Sequence, residues 1–318
     1  MAEAPALDRP QIVPVKRVAV LLNAGAGAFS QKLAANIDSE LSSAFAHHGV
    51  AARILFVDGE DLRQAAETAL KQAKRGEIDA VVVGGGDGSV RTVASVLADT
   101  DVPLGVLPFG TLNHFAKDLG LPLNAEAAAG VIANGHVRAM DLAEVNGHSF
   151  INNSSIGIYP YMVIDRERRR ATHKLAKWMA MIPAFFRMMR HFPRRKLRIS
   201  AQGFERPYRT PCVFVGNNAY RTELFHLGRR QHLDRGELWL YVVKPRSPLE
   251  FLLMVWRLCF GHLDQMRDLD TFRLKEAEIG AKASRLPVAL DGEVRFLHTP
   301  LRYRSRPRAL NVIAPSSG

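Results

Sequence analysis

Three short stretches of the 318-residue chain hold residue types suited to phosphate chemistry. The first is Gly84-Gly85-Gly86-Asp87-Gly88-Ser89, which leaves an apolar run and enters a helical one. Glycines let backbone approach an anion closely, and the N–H groups at a helix start stabilise its charge. Asp87 can orient a hydroxyl, a water or a cation there, and Ser89 supplies a hydroxyl. The same letters also read as a plain strand-to-helix turn capped by Ser89, but three consecutive glycines exceed what a turn needs. The second stretch, Leu107 to Phe115, carries Gly110, Thr111 and Asn113 after another strand-like run, with Thr111 readable either as a cap or as a phosphate contact. The third, Leu290-Asp291-Gly292-Glu293, reads by itself as a hairpin turn with two carboxylates. Asn23, in the glycine-rich NAGAG turn, adds an amide. None of these is a P-loop, which needs GxxxxGK followed by Ser or Thr, and the first turn lacks a dinucleotide GxGxxG.

The elements that must position these residues follow from periodicity. Strand-like runs at Lys16 to Leu22, Ala51 to Val57, Ala80 to Val83 and Leu104 to Leu107 alternate with helical stretches near 30–48, 60–75 and from Val90 to Leu97. Strict alternation predicts an α/β domain over 1–140, an open and mainly parallel sheet with helices on both faces. Loops after its strands gather at the sheet's carboxyl edge, where ligands bind. Beyond Asp141 the texture changes to short strands: HSFINNSSIGIY, KLRISAQ, RTPCVFVGNN, GELWLYVVK and FRLKEAEIGA, predicting a β-rich, sandwich-like second domain over 141–300. The tail, about 301–318, can pack back on either domain.

Composition bounds the function. The chain is 47% hydrophobic and 23% charged, a globular balance. Cys212 and Cys259 are too far apart for a CxxC pair, so a reducing, cytoplasmic setting is expected. The N-terminus shows no secretory pattern, and the most apolar windows, Leu175 to Phe186 and Phe251 to Phe260, are too short to span a bilayer. Arg166 to Arg209 holds eleven arginines and three lysines against Glu167 and Glu205, an excess equal to the whole chain's +12. Within it Trp178, Met179, Phe185, Phe186, Met188 and Phe192 lie among Lys174, Lys177, Arg187, Arg190, Arg194 and Arg195. Cations flanking large apolar side chains suit a helix in a layer of anionic lipid headgroups. The bland alternative is a solvated basic face. No RNA- or DNA-binding module is recognisable, which argues against nucleic acid.

The order NAGAG, GGGDGS, LPFGTLNHFAKDLGLP and LDGE resembles the diacylglycerol kinase catalytic family, bacterial soluble lipid kinase type, related to sphingosine kinases. GGDG alone is shared with NAD kinases and phosphofructokinases; its combination with PFGTxN and a late DGE is far more specific. The resemblance covers nearly the whole chain. It implies an ATP-binding α/β domain, a β-rich domain accepting lipid, and Mg2+ accompanying ATP. It places Asn23, Gly84, Gly85, Gly86, Asp87, Gly88, Ser89, Gly110, Thr111 and Asn113 at the nucleotide. Glu293 is implied as proton acceptor, with Asp291 beside it, and Asp87 and Asp291 as organisers of the metal or its waters. The implied enzyme is an ATP-dependent phosphotransferase acting on a membrane-lipid hydroxyl, such as that of diacylglycerol. It would be cytoplasmic and peripherally bound to an anionic membrane through 166–209; a homodimer is compatible with this reading.

Several positions depart from the family pattern. Ser89 stands for Thr, Arg91 and Thr92 for Asn-Glu, and Leu112 and His114 interrupt the usual GTGND. Arg235 stands where relatives place an aspartate that helps hold a structural Mg2+, leaving Asp234 as the carboxylate there. These departures keep alive a catalytically silent lipid-binding or regulatory protein. An NAD kinase-like enzyme is the other alternative.

Overall fold

In a computed structural model the chain folds as two compact units, 1–140 with 308–318, and 141–307. The structure describes residues 11–24, 31–170, 194–201, 203–220, 230, 232–245, 247–259 and 268–316. Gly25 and Gly27 of the first turn, and the aromatic-basic stretch 171–193, lie outside the described residues.

After a short β1 (Gln11–Ile12), the first unit alternates β2 (Arg17–Asn23), α1 (Gln31–His47), β3 (Ala51–Val57), α2 (Leu62–Lys74), β4 (Ala80–Gly85), α3 (Asp87–Leu97), β5 (Leu104–Pro108), α4 (His114–Asp118) and α5 (Ala125–Asn134). Strands β5, β4, β2 and β3 lie side by side, all parallel. β4 and β5 are buried along their whole length, as continuous apolar runs covered on both faces must be. β3 alternates between exposed and half-buried positions, as an edge strand does. Register aligns the strand ends: Leu22 pairs with Gly84, Gly84 with Leu107, and Gly85 with Pro108. The segments after β2, β4 and β5 therefore leave the sheet at one edge. α3 begins at Asp87, three residues before the apolar periodicity announces it, so Gly86 alone makes the turn from β4.

The second unit begins within β6 (His136–Val145) and continues with β7 (His148–Phe150), β8 (Asn153–Gly157), α6 (Ile158–Arg170), β9 (Arg195–Ala201), β10 (Phe204–Thr210), β11 (Cys212–Asn217), β12 (Leu238–Val243), α7 (Pro248–Cys259), β13 (Leu269–Leu274), β14 (Glu276–Ala281), β15 (Arg285–Leu290) and β16 (Glu293–His298). FRLKEAEIGA, readable as one strand, is two, because Lys275 separates β13 from β14 and each pairs in a different sheet. One sheet runs β13-β12-β11-β8-β15-β16, with antiparallel pairs throughout. A second carries β10, β9 and β14 in antiparallel order. Val213, Leu240 and Val288 from the first meet Ile199, Ile279 and Tyr303 from the second in one apolar core. Cys212 and Phe214 alternate to the outer face, where Tyr159 of α6 and Phe251 and Met254 of α7 cover them. The last strand, β17 (Leu301–Ile313), serves both units: Leu301 to Arg304 pair antiparallel with β14, and Val312 pairs parallel with Leu104 of β5.

Candidate active site of the glycine loops and the acidic hairpin

In the first unit the glycine stretches are held together by their own backbone and polar side chains. A Cβ on Gly110 would stand 2.4 Å from the Cα of Gly86 and 2.6 Å from Asn113 Oδ1, so the two turns touch as bare main chain. Asp87, the first residue of α3, reaches across: its carboxylate accepts from the backbone N–H of His114 (3.1 Å) and of Phe115 (3.0 Å). It thereby caps α4, to which Asn113 gives no side-chain cap. Asn113 sits in the left-handed region (φ 51°), which asparagine tolerates, and its amide donates to the carbonyls of Pro108 and Gly110 (3.1 and 2.8 Å), closing the second turn on itself. Asn23, at the end of β2, donates to Ser89 Oγ (2.8 Å) and ties a third strand end to α3.

These contacts bring together Asn23, Gly84, Gly85, Gly86, Asp87, Ser89, Gly110 and Asn113 at the carboxyl edge of the sheet. Gly88 lies in the first turn of α3, where its carbonyl accepts from Thr92 Oγ1 (3.0 Å). Thr111 is exposed. Arg91, which departs from the family pattern, lies on α3 and is buried at 5% exposure. The N-cap position of α3 is Gly86, which has no side chain to offer. A helix start led by a glycine turn, with an acid already tied back to backbone, suits a phosphate group.

In the second unit Asp291 and Gly292, both at positive φ (48° and 85°), form the two-residue turn between β15 and β16, the backbone a tight hairpin demands. The Asp291 carboxylate accepts three backbone N–H groups, from Ile151 (2.9 Å), Asn152 (2.8 Å) and Asn153 (3.1 Å), and its own N–H donates to the carbonyl of Asn153. Asp291 thus organises the 151–153 turn, while Glu293 opens β16 with an exposed side chain. A buried polar cluster, carried by the asparagine doublets of INNSS and GNN and absent from the sequence reading, backs that turn. Arg230, 6% exposed, donates to the Ile151 carbonyl (2.6 Å) and to Asn152 Oδ1 (3.1 Å). Asn217 donates to the carbonyls of Asp141 (2.8 Å) and Ile151 (3.0 Å). The buried Asp141 carboxylate accepts from Asn218 Nδ2 (2.9 Å) and from the N–H of Gly236. Burial pushes the Cys212 thiol up to about 12, and it also raises the Tyr303 phenol, whose hydroxyl meets Ser154 Oγ at 3.0 Å, so neither group titrates near neutrality.

Among the described residues no three His, Cys, Asp or Glu side chains converge as a metal cage. Asp87 and Asp291 each spend carboxylate oxygens on backbone N–H groups. In the first unit Asp87, at the glycine turn and the start of α3, suits an Mg2+ held chiefly by nucleotide phosphates, the common arrangement for this ion. At the 233–236 loop the Gly236 N–H turns onto the buried Asp141 carboxylate, which Asn218 also engages.

The chain combines a parallel α/β unit carrying glycine turns at its carboxyl edge with a unit of antiparallel sheets, the make-up of a kinase of the diacylglycerol kinase class. Residues 17–145 match the family model described as diacylglycerol kinase catalytic domain, and residues 164–314 match the YegS C-terminal NAD kinase beta sandwich-like domain. A diacylglycerol kinase of Mycobacterium tuberculosis is 28% identical over 86% of this chain and 87% of its own length. A Pseudomonas fluorescens protein named "Probable lipid kinase YegS-like" is 30% identical over 74% of this chain and 77% of its own. The crystal structure of a diacylglycerol kinase from Bacillus anthracis shares the fold, with a TM-score of 0.68 and 21% identity over 95% of this chain and 98% of that one. The chain belongs to this lipid kinase family.

Proposed function

We propose that this protein is an ATP-dependent lipid kinase that transfers the γ-phosphoryl group to a hydroxyl of a membrane lipid such as diacylglycerol. The observation that carries the reading is the bare backbone contact of Gly86 with Gly110 at the glycine-led start of α3. In this reading the triphosphate lies along Asn23, Gly84 to Ser89, Gly110, Thr111 and Asn113, held by backbone N–H groups and the helix terminus. Asp87 and Asp291 would organise Mg2+ or its waters. When bound, the metal neutralises charge on the transferring phosphate. The lipid oxygen forms the new bond to phosphorus as the bond to the β-phosphate oxygen breaks, and ADP leaves. Glu293 accepts the proton the lipid hydroxyl gives up. The enzyme works in the cytoplasm, docked peripherally on anionic headgroups through 166–209.

The test is transfer from radiolabelled ATP over a total lipid extract, with NAD included as an acceptor and the labelled product identified. A labelled phospholipid is expected, with turnover falling about 10²- to 10⁴-fold in Glu293→Gln. Full activity in that variant removes Glu293 from the base role. Labelling of NAD in preference to lipid replaces the lipid reading, and lipid binding without turnover makes the chain a silent member of its family.

A further inference from the structure

Helix α7 is apolar on two faces. Phe251 and Met254 pack inward on Cys212 and Val243. Leu249, Leu252, Leu253 and Trp256, spaced i, i+3, i+4 and i+7, share the opposite face and are 66%, 42%, 43% and 58% exposed. Four large apolar side chains in one helical stripe are far more than the scattered exposed leucine of an ordinary surface. Charged residues on this helix are confined to Glu250 and Arg257, and Arg257 is paired with Asp268 at 3.0 Å.

The surroundings of the stripe indicate what covers it. The apolar cluster that seats α7 also seats Tyr159 of α6. Two residues on, Tyr161 and Met162 are again exposed, and the Arg195 guanidinium lies 5.4 Å over the Tyr161 ring. Arg195 belongs to a groove of about 540 Å³ lined by four cations, Arg194, Arg195, Lys196 and Lys282. One unit thus carries an exposed apolar helix face, a second helix seated on the same apolar cluster, and a cationic groove that meets that second helix at Tyr161. This pairing of chemistries is what an interface of acyl chains beneath anionic headgroups selects.

We propose that α7 beds Leu249, Leu252, Leu253 and Trp256 into the acyl boundary of a bilayer while the Arg194–Lys282 groove holds anionic headgroups. The inference deepens the lipid-kinase reading and rests on it for the source of the lipid, but its test reads binding without turnover. It assigns the apolar part of docking to α7, a helix outside the basic segment to which the sequence directs attention.

The experiment is co-sedimentation with phosphatidylcholine vesicles, with and without phosphatidylglycerol. Wild type is expected to bind the phosphatidylglycerol vesicles, and more weakly as salt rises from about 0.1 M to about 0.5 M. The variant Leu252→Ser/Leu253→Ser/Trp256→Ser is expected to lose about tenfold or more in partitioning. Unchanged binding by the folded variant overturns the proposal. Should that variant misfold, Trp256→Phe decides: brominated acyl chains are expected to quench wild-type emission, and the quenching must shrink in Trp256→Phe. Equal quenching overturns insertion of α7. A wild-type dimer that the triple serine variant converts to monomer, with vesicle binding intact, gives the stripe to a second copy of the chain instead. Phosphorylation of lipid in detergent micelles separates the two claims. Activity retained there by the triple variant leaves the kinase reading standing whatever happens at vesicles, and vesicle binding by a chain without turnover leaves the docking surface standing.

Discussion

Gly86 and Gly110 are glycines for different reasons. A methyl at Gly110 meets backbone at 2.4 Å, which cannot move aside without shifting the other turn. A methyl at Gly86 meets nothing nearer than 3.6 Å, and its extended backbone suits alanine. Gly110→Ala is therefore expected to cost about 1–3 kcal/mol in denaturant unfolding. Gly86→Ala is expected to stay within about 1 kcal/mol of wild type while raising the KM for ATP, because its methyl projects where phosphate approaches. An unchanged KM in a stable Gly86→Ala protein puts the phosphates elsewhere. Cys212 gives a prediction free of the site. Its thiol stays protonated in the fold up to about 12, whereas in the unfolded chain it ionises from about 8.5. The unfolded state thus loses protons first, and this residue's contribution to stability falls as pH rises across that window. In a Cys259→Ser background the native protein is expected to resist thiol reagents near neutral pH and to react only in denaturant.

At the level of elements, the apolar runs were plain in the sequence because each buried strand must be apolar in any context. β3 and β4 begin at the residues their patterns announce, and β2 lies within one residue. α3 starts ahead of its apolar periodicity although Gly-Asp-Gly-Ser has poor helix propensity, because the ties Asp87 to α4 and Asn23 to Ser89 override it. Those ties join residues 27 and 66 positions apart, and the three bonds to Asp291 span 138 to 140, so no local pattern could register them. The glycines and carboxylates of the site were legible by type; that the carboxylates serve backbone N–H groups was not. Asp79 shows the same economy. Partial burial raises its pKa, but the N–H groups of Lys16 (2.9 Å) and Arg17 (2.8 Å), with the Arg17 guanidinium, outweigh it, so the carboxyl titrates below its ordinary value. A depressed folded pKa contributes stability above the unfolded value of about 3.9, and that stability is lost as pH falls through the folded pKa. Asp79→Asn is expected to cost about 1 kcal/mol at neutral pH, and the gap to wild type should close in acid. A gap that persists below both pKa values assigns the loss to packing rather than charge.

For the whole molecule, the decisive element is β17. Its first residues complete the second unit's sheet, and its last ones bury Leu310, Val312 and Ile313, each 0% exposed, in the first. Ile313 packs in the cluster of Val20, Leu41, Phe45 and Ile132, residues some 180 to 290 positions earlier in the chain. Completion of the α/β core therefore waits on β17, a long-range dependence that slows folding. Ile313→Ala is expected to cost about 2–5 kcal/mol through the cavity it leaves. The location of the loss is more telling than its size. Hydrogen exchange should show β5 and β4 losing protection while β11 and β12, whose core contains no residue beyond Tyr303, keep theirs. Equal loss across all four strands means that the two units open together, and then the glycine turns and the acidic hairpin share one cooperative fold rather than two.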